Sequence, residues 1–120
     1  LKNFPNDLQS RLRAEYFGWG PCEALRQDSS VREILINTRD SIWIEKNGSL
    51  IRHQDQFLSE RTYREFLQRI YEGIGQHCTL EGPHASGKLG CFRVQVIGSS
   101  ITKNSESLSL RRHNESPWNL

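Results

Sequence analysis

The chain has 120 residues, 35% hydrophobic and 25% charged, with 16 basic against 14 acidic side chains and a net charge of +2. That suits one domain with one modest core, gives no basis for nucleic-acid binding through a global field, and leaves no apolar run near the roughly 20 residues needed to cross a bilayer. There is no Met, the first residue is Leu1, and the opening LKNFPNDLQS lacks the apolar stretch of a secretory signal, so a fragment whose start lies upstream is expected.

Residues 6–17, NDLQSRLRAEYF, follow Pro5 and predict a first helix capped by Asn6 or Asp7. Leu8, Leu12 and Tyr16 recur at i, i+4 and i+8 and make one apolar stripe. Gly18 and Gly20 break the helix, and Pro21 suits the first turn of a short second one, PCEALRQD. Residues 31–37 read as a strand with apolar positions at Val31, Ile34 and Ile36. Residues 42–46 alternate, with Ile42 and Ile44 on one face and Trp43 and Glu45 on the other. Asn47-Gly48 is a strong hairpin signal, so the chain returns through Ser49–Arg52, with 53–57 as a candidate continuation.

Ser59 or Thr62 caps the longest helix, whose apolar positions Tyr63, Phe66, Leu67, Ile70, Tyr71 and Ile74 keep a helical period. Arg61, Glu65, Arg69 and Glu72 read as its solvated face. Residues 79–90 read as a polar loop, 91–97 as a strand alternating Phe92, Val94 and Val96 with Arg93 and Gln95, and 107–112 as a last strand with Leu108 and Leu110 on one face. Two helices, three strands, a long helix and two strands predict an α+β domain: a mostly antiparallel sheet covered on one face.

The three cysteines, Cys22, Cys78 and Cys91, are odd in number and lack a CxxC, which fits a reducing compartment better than a disulfide framework. A zinc set of His77, Cys78, His84 and Cys91 can be drawn, but its spacing matches no standard pattern. Glu23 and Glu33 have no evident partner for paired-carboxylate chemistry and read as solvated or ion-paired.

Residues 82–89, GPHASGKL, match the phosphate-loop pattern G-x-x-x-x-G-K-[ST] at every place but the last. Leu89 stands where the Mg²⁺-binding hydroxyl belongs. A phosphate loop also runs from a strand into a helix whose amides cradle the anion. Here a helix end precedes it and the β-pattern CFRVQV follows. The expectation is a Gly-rich turn leading into a strand, with Lys88 a surface lysine or an auxiliary positive charge.

Taken together, GWGPCEALRQDSSVREILINTRDSIWIEKNGSL, RTYREFLQRIYEGIGQ, EGPHASGKLGCFRVQVIG and LSLRRH resemble, in order and spacing, the N-terminal domain of type II/IV secretion-system ATPases, closest to the Tad/Flp pilus-assembly branch (CpaF-like). The resemblance covers roughly residues 11–115. It implies a PAS-like domain at 18–113, preceded by a helical segment at 1–17 and followed by a linker at 114–120 toward a RecA-like motor absent from these residues. It further implies a hexameric ring on the cytoplasmic side of the bacterial inner membrane. Partners would be that motor, neighbouring subunits and inner-membrane secretion or pilus components, and not nucleic acid. The domain itself would bind no cofactor; ATP and Mg²⁺ would belong to the parent protein.

In the family, arginines of this domain close over a nucleotide held by the motor. Arg93 stands at the arginine of the family's "G-x-R-V" segment, and Arg111 and Arg112 at its arginine pair. A guanidinium suits that task because its planar fork of donors matches phosphate oxygens and keeps its charge. Adjacent strand residues face opposite sides, so one of the last two at most points into a cleft. Trp19 and Trp43 are candidate interface anchors, or edges of the core. The chain departs from the family's acidic "D-G" turn at residues 84–91. Alternatives are a stand-alone PAS-like scaffold without a motor, and a small-molecule sensor with a pocket under the long helix.

Overall fold

In the computed structural model, which describes residues 6–75, 79–81, 84–97 and 107–113, the local signals above organise one antiparallel sheet and its helical cover. Helix α1 spans Asn6–Phe17; a 3₁₀ turn at Gly20–Cys22 runs into α2, Glu23–Arg26. Strands β1, Val31–Thr38, β2, Ser41–Lys46, and β3, Ser49–Arg52, form a meander. Helix α3, Glu60–Gly73, leads to β4, Thr79–Glu81, β5, His84–Leu89, β6, Phe92–Ile97, and β7, Ser107–Arg112.

The seven strands lie in the order β3-β2-β1-β7-β6-β5-β4. The last strand pairs antiparallel with the first, so β7 closes two meanders into one sheet. This is an α+β architecture of the PAS-like kind. No helix among the described residues is long and apolar enough to cross a membrane.

Several local predictions become visible as geometry. Ser59 caps α3 in a reciprocal box with Thr62, which satisfies two otherwise orphan amides at the helix start. Asn47 and Gly48 both take positive φ, 55° and 82°, and turn β2 directly into β3. Val31, Ile34 and Ile36 break strict alternation, yet all three are buried, because the β1–β2 register shifts between Val31 and Glu33. A bulge there lets residues three apart share a face.

The core lies between α3 and one face of the sheet. Tyr63, Phe66, Leu67, Ile70 and Ile74 belong to one cluster with Ile34, Ile36, Ile42, Val94, Val96, Leu108 and Leu110. Phe57 packs on Tyr63 and Phe66 at 5.0 Å between ring centroids. Gly20 is required beneath it: its φ is +54°, and a Cβ would stand 2.7 Å from the Phe57 ring. Cys22 is fully buried, and burial pushes its thiol pKa up, leaving it inert.

Four expectations are corrected. The region 79–90 is not a polar loop: its described residues form β4 and β5, and β5 pairs with β6 along its whole length. Backbone pairing dictated from β6 overrides the weak strand propensity of Gly and Ser. The sheet accordingly has four strands after α3 where the sequence predicted two. Residues 53–57 do not continue β3; they form an irregular strap whose ends bond to β2 and to the β1–β2 turn, His53 N to Ile42 O at 2.8 Å and Phe57 N to Arg39 O at 2.9 Å. The β5–β6 hairpin begins its return at Phe92, with Gly90 (φ 61°) and Cys91 in the turn.

The apolar stripe of α1 is the fourth correction. Leu8 and Tyr16 are 38% and 52% exposed, while the buried residues of the helix are Ala14 and Glu15. The helix docks through its polar face. Arg11 donates to Asp55 at 2.7 Å, to Glu15 at 2.8 Å and to the Gln56 carbonyl at 2.7 Å. Glu15 accepts from the Leu58 amide at 2.8 Å and from the Thr62 hydroxyl. Arg69 of α3 donates to the Tyr16 and Gly18 carbonyls at 3.0 and 2.7 Å, satisfying the end of α1. Residues 1–5 and 114–120, which hold the predicted Pro5 signal and linker, lie outside the described residues.

Candidate functional site: a cationic row on the open sheet face

Strand alternation puts residues 86, 88, 93, 95, 109 and 111 on the face turned away from α3, because residues 85, 92, 94, 96, 108 and 110 are buried on the other. Register then fixes neighbours. Lys88 is paired with Arg93, Arg93 with Arg111, Arg111 with Glu33, and Glu33 with Glu45. One transverse row therefore reads Lys88, Arg93, Arg111, Glu33, Glu45 across five strands. Strands are about 4.8 Å apart, so the three cations fill about 10 Å.

Lys88, Arg93 and Arg111 are all exposed, and none forms an ion pair or side-chain hydrogen bond among the described residues. The acidic half is partly engaged: Glu33 accepts from the Ser109 hydroxyl at 3.2 Å. The next row carries Ser86, Gln95 and Ser109 beside Leu35 and Trp43. Hydroxyl and amide donors thus flank the cations. Such a surface can receive an oxyanion in the fork of two adjacent guanidiniums.

Arg112 is placed otherwise. It turns to the helix side of the sheet, and its guanidinium lies 4.5 Å from the Phe92 ring centroid. Nε donates to the Val31 carbonyl at 3.0 Å; Nη2 donates to the Arg26 and Asp28 carbonyls at 3.1 and 3.0 Å; Nη1 meets Cys91 Sγ at 3.3 Å. This side chain closes the end of α2 and the start of β1 onto β7. The two arginines of the pair consequently do different jobs.

Trp19 is 7% exposed, with Phe92 and Phe66 at centroid distances of 5.3 and 6.2 Å and Arg26 stacked over it at 4.8 Å. It bridges β6 and α3 inside the core. Trp43 is half-buried on the open face, with Arg52, its register partner on β3, 5.9 Å over the ring. Glu23 is held by Arg26 at 2.9 Å and accepts from the Trp19 amide at 2.9 Å; burial opposes ionisation there, but these donors outweigh it and lower its pKa.

The GPHASGKL segment is a strand over its described part, and the turn after it enters β6, with no helix N-terminus at Lys88. His77 and Cys78 of the drawn zinc set lie outside the described residues, and the described ones contain no group of three metal-ligating side chains. A cleft of about 230 Å³ lies away from the cationic row, beside Arg13, Phe17, Glu23 and Arg26.

Sequence reasoning missed the polar network of Arg11, Glu15, Asp55 and Arg69. The i, i+4 spacing of Arg11 and Glu15 was a readable signal, but only the strap at residues 55–58 turns it inward. Burial opposes the charge on Asp55, and the Arg11 hydrogen bond overrides that and lowers its pKa. Asp28, at the α2–β1 turn, is lowered from 3.8 to about 2 by hydrogen bonds from the Ser30 hydroxyl and amide and from Lys46.

Neither a family model nor a curated protein sequence matches the chain. Among solved structures, the chain is similar to the VirB11 ATPase from the Brucella suis type IV secretion system in complex with sulphate, at 14% identity and a TM-score of 0.65, covering 93% of this chain and 34% of that one. It is also similar to the Legionella pneumophila ATPase DotB, at 16% identity and a TM-score of 0.52, covering 86% and 30% respectively. The chain therefore spans about a third of the length of these ATPases and shares a fold with that portion of them.

Proposed function

We propose that residues 18–113 form the non-catalytic N-terminal domain of a type II/IV secretion or pilus-assembly ATPase, with 114–120 leading toward its motor domain. In this reading Arg93 and Arg111, with Lys88 beside them, lend positive charge to a nucleotide that the motor grips. ATP with Mg²⁺ would supply the phosphoryl chemistry; this domain would only bind, orient and stabilise charge. Coupling the nucleotide to the domain angle would let a hexameric ring at the inner membrane do mechanical work.

The single observation behind the reading is the row of three neighbouring cations, exposed and unpaired among the described residues, on a fold shared with secretion-type ATPases. Arg112 enters the proposal as a positioning residue, because it ties β7 to the α2–β1 turn and so sets where Arg111 stands. The isolated chain offers two guanidiniums but no cradle of helix-terminal amides at Lys88.

The test has two arms. In the parent protein, R93A and R111A are expected to lower ATP turnover by about a hundredfold, the scale of losing one preorganised charge-stabilising donor, while R112A acts mainly on stability. In the isolated chain, titration with ATP and Mg²⁺ is expected to give no turnover. Turnover there, or micromolar affinity dependent on Lys88, overturns the proposal. So does an unrelated domain in the reading frame after Leu120, which would favour the stand-alone scaffold.

A further inference from the structure

The open face carries an electrostatic arrangement that a nucleotide contact leaves unexplained. Cations occupy β5, β6 and β7, while carboxylates occupy β1 and β2 of the same row. Like stands next to like on both sides: Arg93 beside Lys88 and Arg111, and Glu33 directly opposite Glu45. Like charges opposite each other in a sheet are destabilising. No intramolecular ion pair among the described residues relieves either half, although Arg111 and Glu33 are register partners at the centre.

We infer that this face pairs with the same face of a second copy of the chain, about a two-fold axis running along the strands between β7 and β1. The operation reverses the row. It lays β7 of each copy over β1 of the other, and β6 over β2. Arg111 then meets Glu33 and Arg93 meets Glu45, twice each, so every central charge faces its opposite. In the adjacent row the same operation sets Trp43 over Gln95 and Leu35 over Ser109, covering the two half-buried apolar side chains of this face.

A two-fold interface demands a self-complementary patch, and the four central members of this row are complementary about the β7–β1 midpoint, with Lys88 falling over Leu50 of β3. Sheets with a common twist stack face to face at a small angle, which keeps the central strands in contact. From β5 to β3 the patch is about 24 Å wide, and two to three rows deep, so the area falls at the small end for specific complexes. Charge complementarity then sets specificity and encounter rate rather than high affinity. The pairing is a weak, reversible and salt-sensitive dimer. It goes beyond the nucleotide reading and does not rest on it: both use Arg93 and Arg111, so pairing and a nucleotide contact exclude each other on one copy, whereas Glu33 and Glu45 belong to the pairing alone.

Sedimentation velocity of the 120-residue chain from about 10 µM to 1 mM tests it, at low and high salt. Expected is a concentration-dependent dimer at low salt, weakened by at least about tenfold where added salt shortens the screening length. E33R/E45R and R93E/R111E should each be monomeric, and an equimolar mixture should restore the dimer as a heterodimer. Should the reversals perturb folding, checked by circular dichroism and melting, E33Q/E45Q and R93Q/R111Q each lose at least about tenfold in affinity on the same argument. A chain that stays monomeric throughout, a dimer indifferent to these substitutions, or charge-reversed partners that fail to pair overturns the inference. Because E33R/E45R keeps Lys88, Arg93 and Arg111, its effect on pairing is read separately from any effect on nucleotide.

Discussion

Arg111 and Arg112 are neighbours in sequence and belong to opposite faces of one sheet. Arg112 gives its donors to the carbonyls of Val31, Arg26 and Asp28 and lies against Phe92. Arg111 stands exposed between Arg93 and Glu33 without a partner among the described residues. The same side chain is a structural staple on one face and an available charge on the other. Residue type alone does not assign a role; the environment on its side of the pleat does.

The contrast between the faces can be broken most strongly on the covered side. Phe66→Ala removes a fully buried ring that contacts Trp19, Phe57 and Tyr63. It is expected to cost about 4 kcal/mol, read as a drop in the urea midpoint. Glu15→Ala leaves the Leu58 amide without its acceptor, leaves the Thr62 hydroxyl with the Ser59 carbonyl as acceptor, and removes one partner of Arg11. A loss of about 3 kcal/mol is expected, with α1 losing hydrogen-exchange protection before the sheet does.

Arg112→Ala should cost about 2 kcal/mol, the scale of charge-assisted hydrogen bonds, here to partly buried carbonyls, and Arg111→Ala less than about 0.5 kcal/mol. Equal losses for the two would erase the distinction drawn between the faces. Acid supplies a milder perturbation. Folded Asp28 titrates near 2 rather than 3.8, and Asp55 is lowered as well. The unfolded chain therefore takes up these protons first. Stability from both groups holds above about pH 4 and falls as the pH drops toward 2. A melting temperature flat across that window would show that neither bond matters to the fold.

Much of the covered face was legible in the sequence. Tyr63, Phe66, Leu67 and Ile70 keep a helical period, and Phe92, Val94 and Val96 alternate, because each element must aim one side at the same core. Asn47-Gly48 and the Ser59–Thr62 box are local devices that need no distant partner. The failures fall where a distant element decides. The residues HASGKL carry no strand pattern of their own, and pairing with β6 on one edge and β4 on the other draws them into the sheet. Leu8, Leu12 and Tyr16 carry a helical stripe, yet the strap at 55–58 and Arg69 hold the polar side of α1 instead.

The candidate site shows the same division. That Arg93 and Arg111 occupy strands and point away from the core follows from alternation within each strand. That they stand side by side, next to Lys88 and facing two glutamates across β1 and β2, is a matter of register. The sequence by itself determined the helices, the periods of β1, β2, β6 and β7, the Asn47-Gly48 hairpin and the core-facing side of α3, because those depend on contacts a few residues away. The order of the strands, the inward turn of Glu15 and the charged row depend on pairing between segments as far apart as β1 and β7. Only the assembled sheet holds that pairing in place.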